Sequence, residues 1–217
     1  MTALLAIASG LLGLIVGALV NRAAGRFPWT EQARGGPAVR RPVLELGTAL
    51  LFSLTALRFG LSWELPAFLF LAAVAVLLTV IDVQHRLLPN RVVLPSIGIG
   101  AALLTVGASG TGDWPALLRG VVAAASLFVV FFVLVLISPR SIGMGDAKLA
   151  ALLGLYLGWL GWGFVLRGIA AGFVVQALLA VVLLVTRRIG LKGELPFGPA
   201  MLAGAALVIG WSGSLLG

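Results

Sequence analysis

Seven acidic residues punctuate the 217-residue chain: Glu31, Glu45, Glu64, Asp82, Asp113, Asp146 and Glu194. Two of them could do chemistry together. Asp82 ends an apolar run in LLTVIDVQHRLLPN, and Asp146 begins another in SIGMGDAK. An ionisable group at the edge of an apolar span is costly and usually faces a protein interior or a wet cavity. Two carboxyl groups that face each other can share one proton, because close like charges do not both ionise. The ionised member can draw a proton from water while the protonated member polarises a carbonyl. Such a pair hydrolyses a peptide bond without a covalent intermediate. Each aspartate also has a plain structural reading. Asp146 could cap a helix and complement its dipole, and Asp82 could pair with Arg86 one turn on.

The neighbours of the pair carry further signals. Gly143 and Gly145 flank Met144 just before Asp146. Bare backbone there could let an extended peptide pair with it as an added strand, or could simply form a tight turn. With 29 glycines in the chain, Gly-x-Gly-Asp has meaning only beside the second aspartate. Lys148 could hold an acidic substrate side chain or anchor its helix at lipid headgroups. His85 is the single histidine, three residues past Asp82; it could tune that carboxyl or serve as an interfacial polar residue. Glu45, with Arg41 four residues before it, reads as a helix-end ion pair or as a support for the site. Glu64 and Asp113 sit beside Trp63 and Trp114, as in interfacial turns. Glu31 lies in an arginine-rich loop and Glu194 near Lys192.

The elements that must position these residues follow from composition. The chain is 61% hydrophobic and only 10% charged, where a soluble domain is about a quarter charged. The bilayer is therefore its solvent. Eight apolar runs, near residues 2–20, 43–61, 66–81, 92–108, 115–137, 147–162, 164–186 and 198–215, each read as a helix, since a spanning segment must satisfy its own backbone. The expected fold is all-α: a polytopic membrane protein of about eight transmembrane helices with its active site at the cytoplasmic margin. With the N-terminus outside, twelve of the fifteen Lys and Arg residues fall in cytoplasmic loops; Arg58, Arg119 and Arg167 do not. That bias satisfies the positive-inside rule with both termini outside. It puts Asp82 and Asp146 at one membrane depth.

Other features bound the function. The net charge of +8 is explained by these loops, and no aromatic-basic cluster suggests a nucleic-acid partner. The absence of cysteine excludes disulfides, thiolate metal sites and a cysteine nucleophile. The first run has no basic leader and reads as a retained span. Residues 1–42 read as a first transmembrane helix and basic cytoplasmic loop, and residues 43–217 as the transmembrane core. The loop of residues 21–42 carries Gly, Pro and Arg and no apparent core of its own. It reads as a flexible surface loop able to meet anionic headgroups. A proton-coupled transporter or channel using the two carboxylates is the alternative. No internal repeat supports it, and the outer halves of the spans hold almost no ionisable groups. An inert scaffold would leave the aspartate pair unexplained.

At these residues the chain resembles the type 4 prepilin peptidases, membrane-embedded aspartic proteases that share Gly-x-Gly-Asp with presenilins. The resemblance rests on Asp82-Val-Gln-His-Arg-Leu-Leu-Pro89-Asn90, on Gly143-Met-Gly145-Asp146-Ala-Lys148, on Pro196-Phe197-Gly198-Pro199 opening the last span, and on Pro42-Val-Leu-Glu45-Leu-Gly-Thr-Ala49. It covers the chain from about residue 40 onward. It implies catalytic Asp82 and Asp146, with Gly143, Gly145, Lys148, Pro196, Phe197, Gly198 and Pro199 binding substrate or supporting the site. It implies hydrolysis of the leader peptide of type IV prepilins or related pseudopilins, at the cytoplasmic face of a bacterial inner membrane; for this chain no metal or other cofactor is expected. Many family members carry paired Cys-x-x-Cys motifs in the first loop, fitting a zinc site, and also methylate the new N-terminus. This chain lacks those cysteines and is expected to act as a peptidase alone.

Overall fold

The computed structural model describes residues 2–29, 36–138, 142–186 and 195–211. Eight helices and no strand occur among them: α1 (Thr2–Gly25), α2 (Val43–Phe59), α3 (Leu65–His85), α4 (Asn90–Thr111), α5 (Trp114–Ile137), α6 (Met144–Leu160), α7 (Trp162–Val185) and α8 (Gly198–Trp211). Each apolar run of the sequence has become one helix. Glu31, Arg34, Arg140, Ser141, Arg187, Arg188, Lys192 and Glu194 lie outside the described residues.

Local chemistry sets the ends. Asp113 caps α5 by accepting from the Ala116 N–H at 3.1 Å, the expected work of a short carboxylate at a helix start. Gly161 separates α6 from α7 with φ 137°, a conformation closed to most side chains. α3 runs four residues beyond its apolar stretch, so Asp82 lies inside the helix rather than after it. Arg86 then ends it in a left-handed conformation, with its N–H on the Asp82 carbonyl at 2.8 Å.

Five helices, α1, α3, α4, α5 and α7, are long and apolar enough to cross a membrane; α8 is a shorter apolar helix. Large apolar side chains such as Ile7, Leu54, Val129 and Leu178 lie on the outside. A surface of this kind needs lipid around it, and the protein is a multi-pass membrane protein. Successive helices alternate in direction, and the broadest contacts are α1 on α2, α5 on α6 and α7 on α8.

The centre is α6. Every residue from Leu149 to Trp159 is buried. This explains why its sequence is short and glycine-rich: it must be approached closely from several sides. A Cβ at Gly154 would lie 2.8 Å from both the Ala123 carbonyl oxygen and the Ala124 Cα. α5 packs where those hydrogens leave room.

Two of the three arginines outside the basic loops, Arg119 and Arg58, tie helices together inside the bundle. Arg119 donates to the carbonyls of Gly158 and Trp159 at 2.7 Å each, closing the last turn of α6. Arg58 donates to the Ile209 carbonyl of α8 at 3.0 Å, while the exposed Arg167 donates to the Gly163 carbonyl in the first turn of its own helix at 2.9 Å. The last carbonyls of a helix lack partners of their own helix, so a guanidinium at Gly158, Trp159 or Ile209 satisfies a need that lipid cannot.

The loop after α1 departs from the expectation of a free, coreless segment. Its described residues Phe27, Trp29, Ala38 and Val39 pack against Ala24, Val80 and Ile81. Asn21, fully buried, both donates to and accepts from the backbone of Val39 at 2.9 Å. Gln84 of α3 donates to the Ala38 carbonyl at 2.9 Å. The composition hid this because the apolar residues are few and lie far apart; one buried amide and the α3 surface bring them together.

Candidate active site

α3 ends and α6 begins at the same end of the bundle, where α8 also starts. This is what brings the two aspartates together. Asp82 sits on the last turn of α3, 5% exposed. Asp146 is the third residue of α6 and half-buried. Leu88 bridges their surroundings, lying against both Gly198, which abuts Asp82, and Gly145, the residue before Asp146.

Their settings differ. Asp146 Oδ2 accepts the Gly143 N–H at 2.9 Å, so it caps its own helix. The helix-cap reading and the functional one therefore hold together. Asp82 Oδ2 is buried and meets no donor in hydrogen-bond geometry among the described residues. The nearby Gly198 amide acts on the same carboxyl group. Arg86 does not pair with Asp82 through its side chain; its backbone closes α3 instead.

Gly198 is fitted to this carboxylate. A Cβ there would lie 2.6 Å from Asp82 Oδ2 and 3.4 Å from Leu88 Cδ1. Leu88 also fills the space beside Gly145, where a Cβ would lie 2.9 Å from Leu88 Cβ. One leucine thus touches the glycines of both helix starts, α6 and α8. Phe197 is held by rings on α5 and α7, with centroids 6.2 Å from Phe131 and 5.1 Å from Phe173. Its carbonyl accepts the Met201 N–H at 3.1 Å. These contacts seat the start of α8 against Asp82. Pro196 precedes this turn, and Pro199 is the second residue of α8.

Residues 69–186, more than half of the chain and including both aspartates, match the type IV leader peptidase family. The chain belongs to that family. It is 34% identical over 173 residues to the prepilin leader peptidase/N-methyltransferase of Pseudomonas aeruginosa, covering 79% of this chain and 58% of that protein. It is 32% identical over 180 residues to the protein of the same name from Bacillus subtilis, covering 81% of this chain and 67% of that one. The Neisseria gonorrhoeae protein of that name is 32% identical over 178 residues, 80% of this chain and 57% of the relative. The chain thus spans between half and about two thirds of the length of these relatives. No solved structure matches it.

Other residues of this leader peptidase family chain sort around the pair. Lys148 donates from Nζ to Asn90 Oδ1 at 2.7 Å, tying the first turn of α6 to the first residue of α4. His85 lies against Phe27, ring centroids 4.8 Å apart. Glu45 is buried and accepts from Arg41 at 3.4 Å, as its spacing suggests, and from Asn21 at 3.3 Å. That cluster ties α1 to α2 and has no described contact with the aspartates.

Sequence reasoning did not single out Leu88, Asn90 or Asn21. The first two lie within the Leu-Leu-Pro-Asn stretch that followed Asp82, so the motif held the signal while its role as a wedge did not show. Asn21 was marked only by its position at the polar end of an apolar helix. Among the described residues no group of three His, Cys, Asp or Glu could hold a metal ion.

Proposed function

We propose that this chain is an intramembrane aspartic endopeptidase that removes the leader peptide of type IV prepilins or related pseudopilins. The observation that carries the reading is the placement of Asp82 and Asp146 on either side of Leu88 at one end of the bundle, with Asp82 Oδ2 beside Gly198 and without a donor among the described residues. Asp82 and Asp146 are the catalytic pair. Gly145, Gly198 and Leu88 shape the floor of the site, and Phe197 positions Gly198. Gly143 holds Asp146, Lys148 fixes α6 to α4, and Pro196 and Pro199 border the substrate path.

In the reaction, a water bound between the carboxyl groups attacks the scissile carbonyl carbon. Its proton passes to the ionised carboxylate while the other carboxyl group gives its proton to the carbonyl oxygen. The tetrahedral diol then collapses. The C–N bond breaks as the nitrogen takes up a proton, releasing a carboxylic acid and an amine. The proposal covers this hydrolysis and not methyl transfer, since the two-carboxyl site accounts for the first and makes no use of a methyl donor.

The distribution of Lys and Arg supports placing this end of the bundle at the cytoplasmic face of a bacterial inner membrane, with both termini outside. The leader of a substrate would then be reached before it leaves the cytoplasm. Membership of a peptidase family counts against the proton-relay alternative. The test is cleavage of a prepilin by the protein reconstituted in vesicles. Asp82→Asn and Asp146→Asn should each stop cleavage while the protein still inserts. Normal cleavage by either variant defeats the two-aspartate scheme.

A further inference from the structure

α2 and α8 both flank α3 yet scarcely meet. The hydrogen bond from Arg58 to the Ile209 carbonyl ties them, at the end away from the aspartates. Elsewhere an open cleft of about 1020 Å³ separates them, running from Val43 and Pro199 at the aspartate end to Trp211 at the other, with α3 as its floor. Among the described residues no charged side chain lines it, and its polar groups are the Thr48 and Thr79 hydroxyls and the Trp211 indole. The Thr48 hydroxyl is already spent on the Leu44 carbonyl at 2.8 Å.

The dimensions point to an occupant. From Pro199 to Trp211 the α8 wall rises roughly 18 Å at ~1.5 Å per residue, and a helix is ~10 Å wide with side chains. A cylinder of that size holds on the order of 1,400 Å³, so the cleft takes up most of the cross-section of one helix. A backbone lying there meets only the Thr79 hydroxyl and the Trp211 indole N–H on the walls, too few partners for an extended chain. It must bond to itself, and a helix does that.

The cleft is continuous with the candidate site. Its wall residue Val80 is two residues before Asp82, and its wall residue Pro199 follows Gly198, which touches Asp82. A chain leaving the cleft at this end passes from a lining poor in hydrogen-bonding groups to the Asp82 carboxyl group, whose Oδ2 meets no donor among the described residues. The polar partners needed to unwind a helix begin where the carboxyl groups are.

We propose that the cleft between α2 and α8 seats the apolar helix of a membrane-inserted substrate, with the bond to be cut lying just beyond it at Asp82 and Gly198. This rests on the peptidase reading above and adds the side from which substrate is held.

The test uses the full chain in vesicles of phosphatidylethanolamine and phosphatidylglycerol. The probe is a prepilin bearing its apolar segment. A photo-cross-linking residue replaces the exposed Leu207 on the cleft wall in an Asp82→Asn background. The control carries it at Val129, equally exposed on α5. The Leu207 position should give at least tenfold more adduct, mapped to the apolar segment. Adducts with lipid alone, or equal yields at both positions, overturn the proposal. In the otherwise native chain, Ala206→Trp should slow cleavage at least tenfold and Val129→Trp should leave it unchanged; cleavage at the native rate by Ala206→Trp also overturns it. A native chain that does not cleave at all defeats the peptidase reading itself. Native cleavage lost in Asp82→Asn preserves that reading whatever the cleft holds.

Discussion

The two carboxyl groups occupy opposite kinds of helix end. Asp146 opens α6, where unpaired N–H groups point outward, and it spends one oxygen on the Gly143 amide. Asp82 closes α3, where there are carbonyls and no spare N–H, and its buried Oδ2 meets no donor among the described residues. The same side chain is thus anchored in one place and available in the other. The difference comes from chain direction: a helix start fixes a carboxylate through its own backbone, while a helix end must borrow its fixing from another element, here the start of α8.

Removing either carboxyl group erases the comparison and should have the largest effect. Asp82→Asn and Asp146→Asn are each expected to cost roughly 10²–10⁴-fold in cleavage rate, the range for a general acid or base. Because one proton is shared, the native enzyme should show a bell-shaped dependence of kcat on pH, and a flat profile across the acid range would count against sharing.

Gly198→Ala sharpens the contrast from the Asp82 side. Its Cβ would meet Oδ2 at 2.6 Å, and displacing a reacting group by about an ångström can cost about a hundredfold. The expected result is a fall in kcat of that order with little change in thermal unfolding. The corresponding change on the Asp146 side is Gly143→Pro, which deletes the N–H that Oδ2 accepts. Losing a hydrogen bond to a charged group is worth about 1.5–3 kcal/mol; part of that should appear as about a tenfold fall in kcat. If Gly143→Pro proves the more damaging, Asp146 depends on its support more than Asp82 does.

Lys148→Met should matter least. It removes the 2.7 Å bond to Asn90 but keeps the alkyl stem. A loss of about 1 kcal/mol or less in thermal stability is expected, with cleavage nearly intact. A large loss of activity at full stability would instead assign Lys148 to substrate.

Much of this was legible in the sequence, for a physical reason. In lipid the backbone has few options, so apolar runs became helices with boundaries shifted by a few residues. Asp82 and Asp146 stood out because charge is rare there, and Glu45 and Arg41 announced their pairing by spacing. The rest depended on contacts between distant segments. Leu88 reaches both glycines only because Arg86 turns the chain back through a left-handed residue. The loop after α1 acquires its packing only against Val80 and Ile81. The cleft is a gap between helices, and no residue type marks a gap.

The depth of α6 has a consequence for the lipid around it. Its 17 residues measure roughly 25 Å at ~1.5 Å each, less than a hydrocarbon layer of ~30 Å. An isolated span of that length would tilt little and force the bilayer to thin. Buried from Leu149 to Trp159, α6 is shielded from acyl-chain length. Thickening the membrane should therefore strain the peripheral helices first and leave Asp146, on the first turn of α6, at a fixed level.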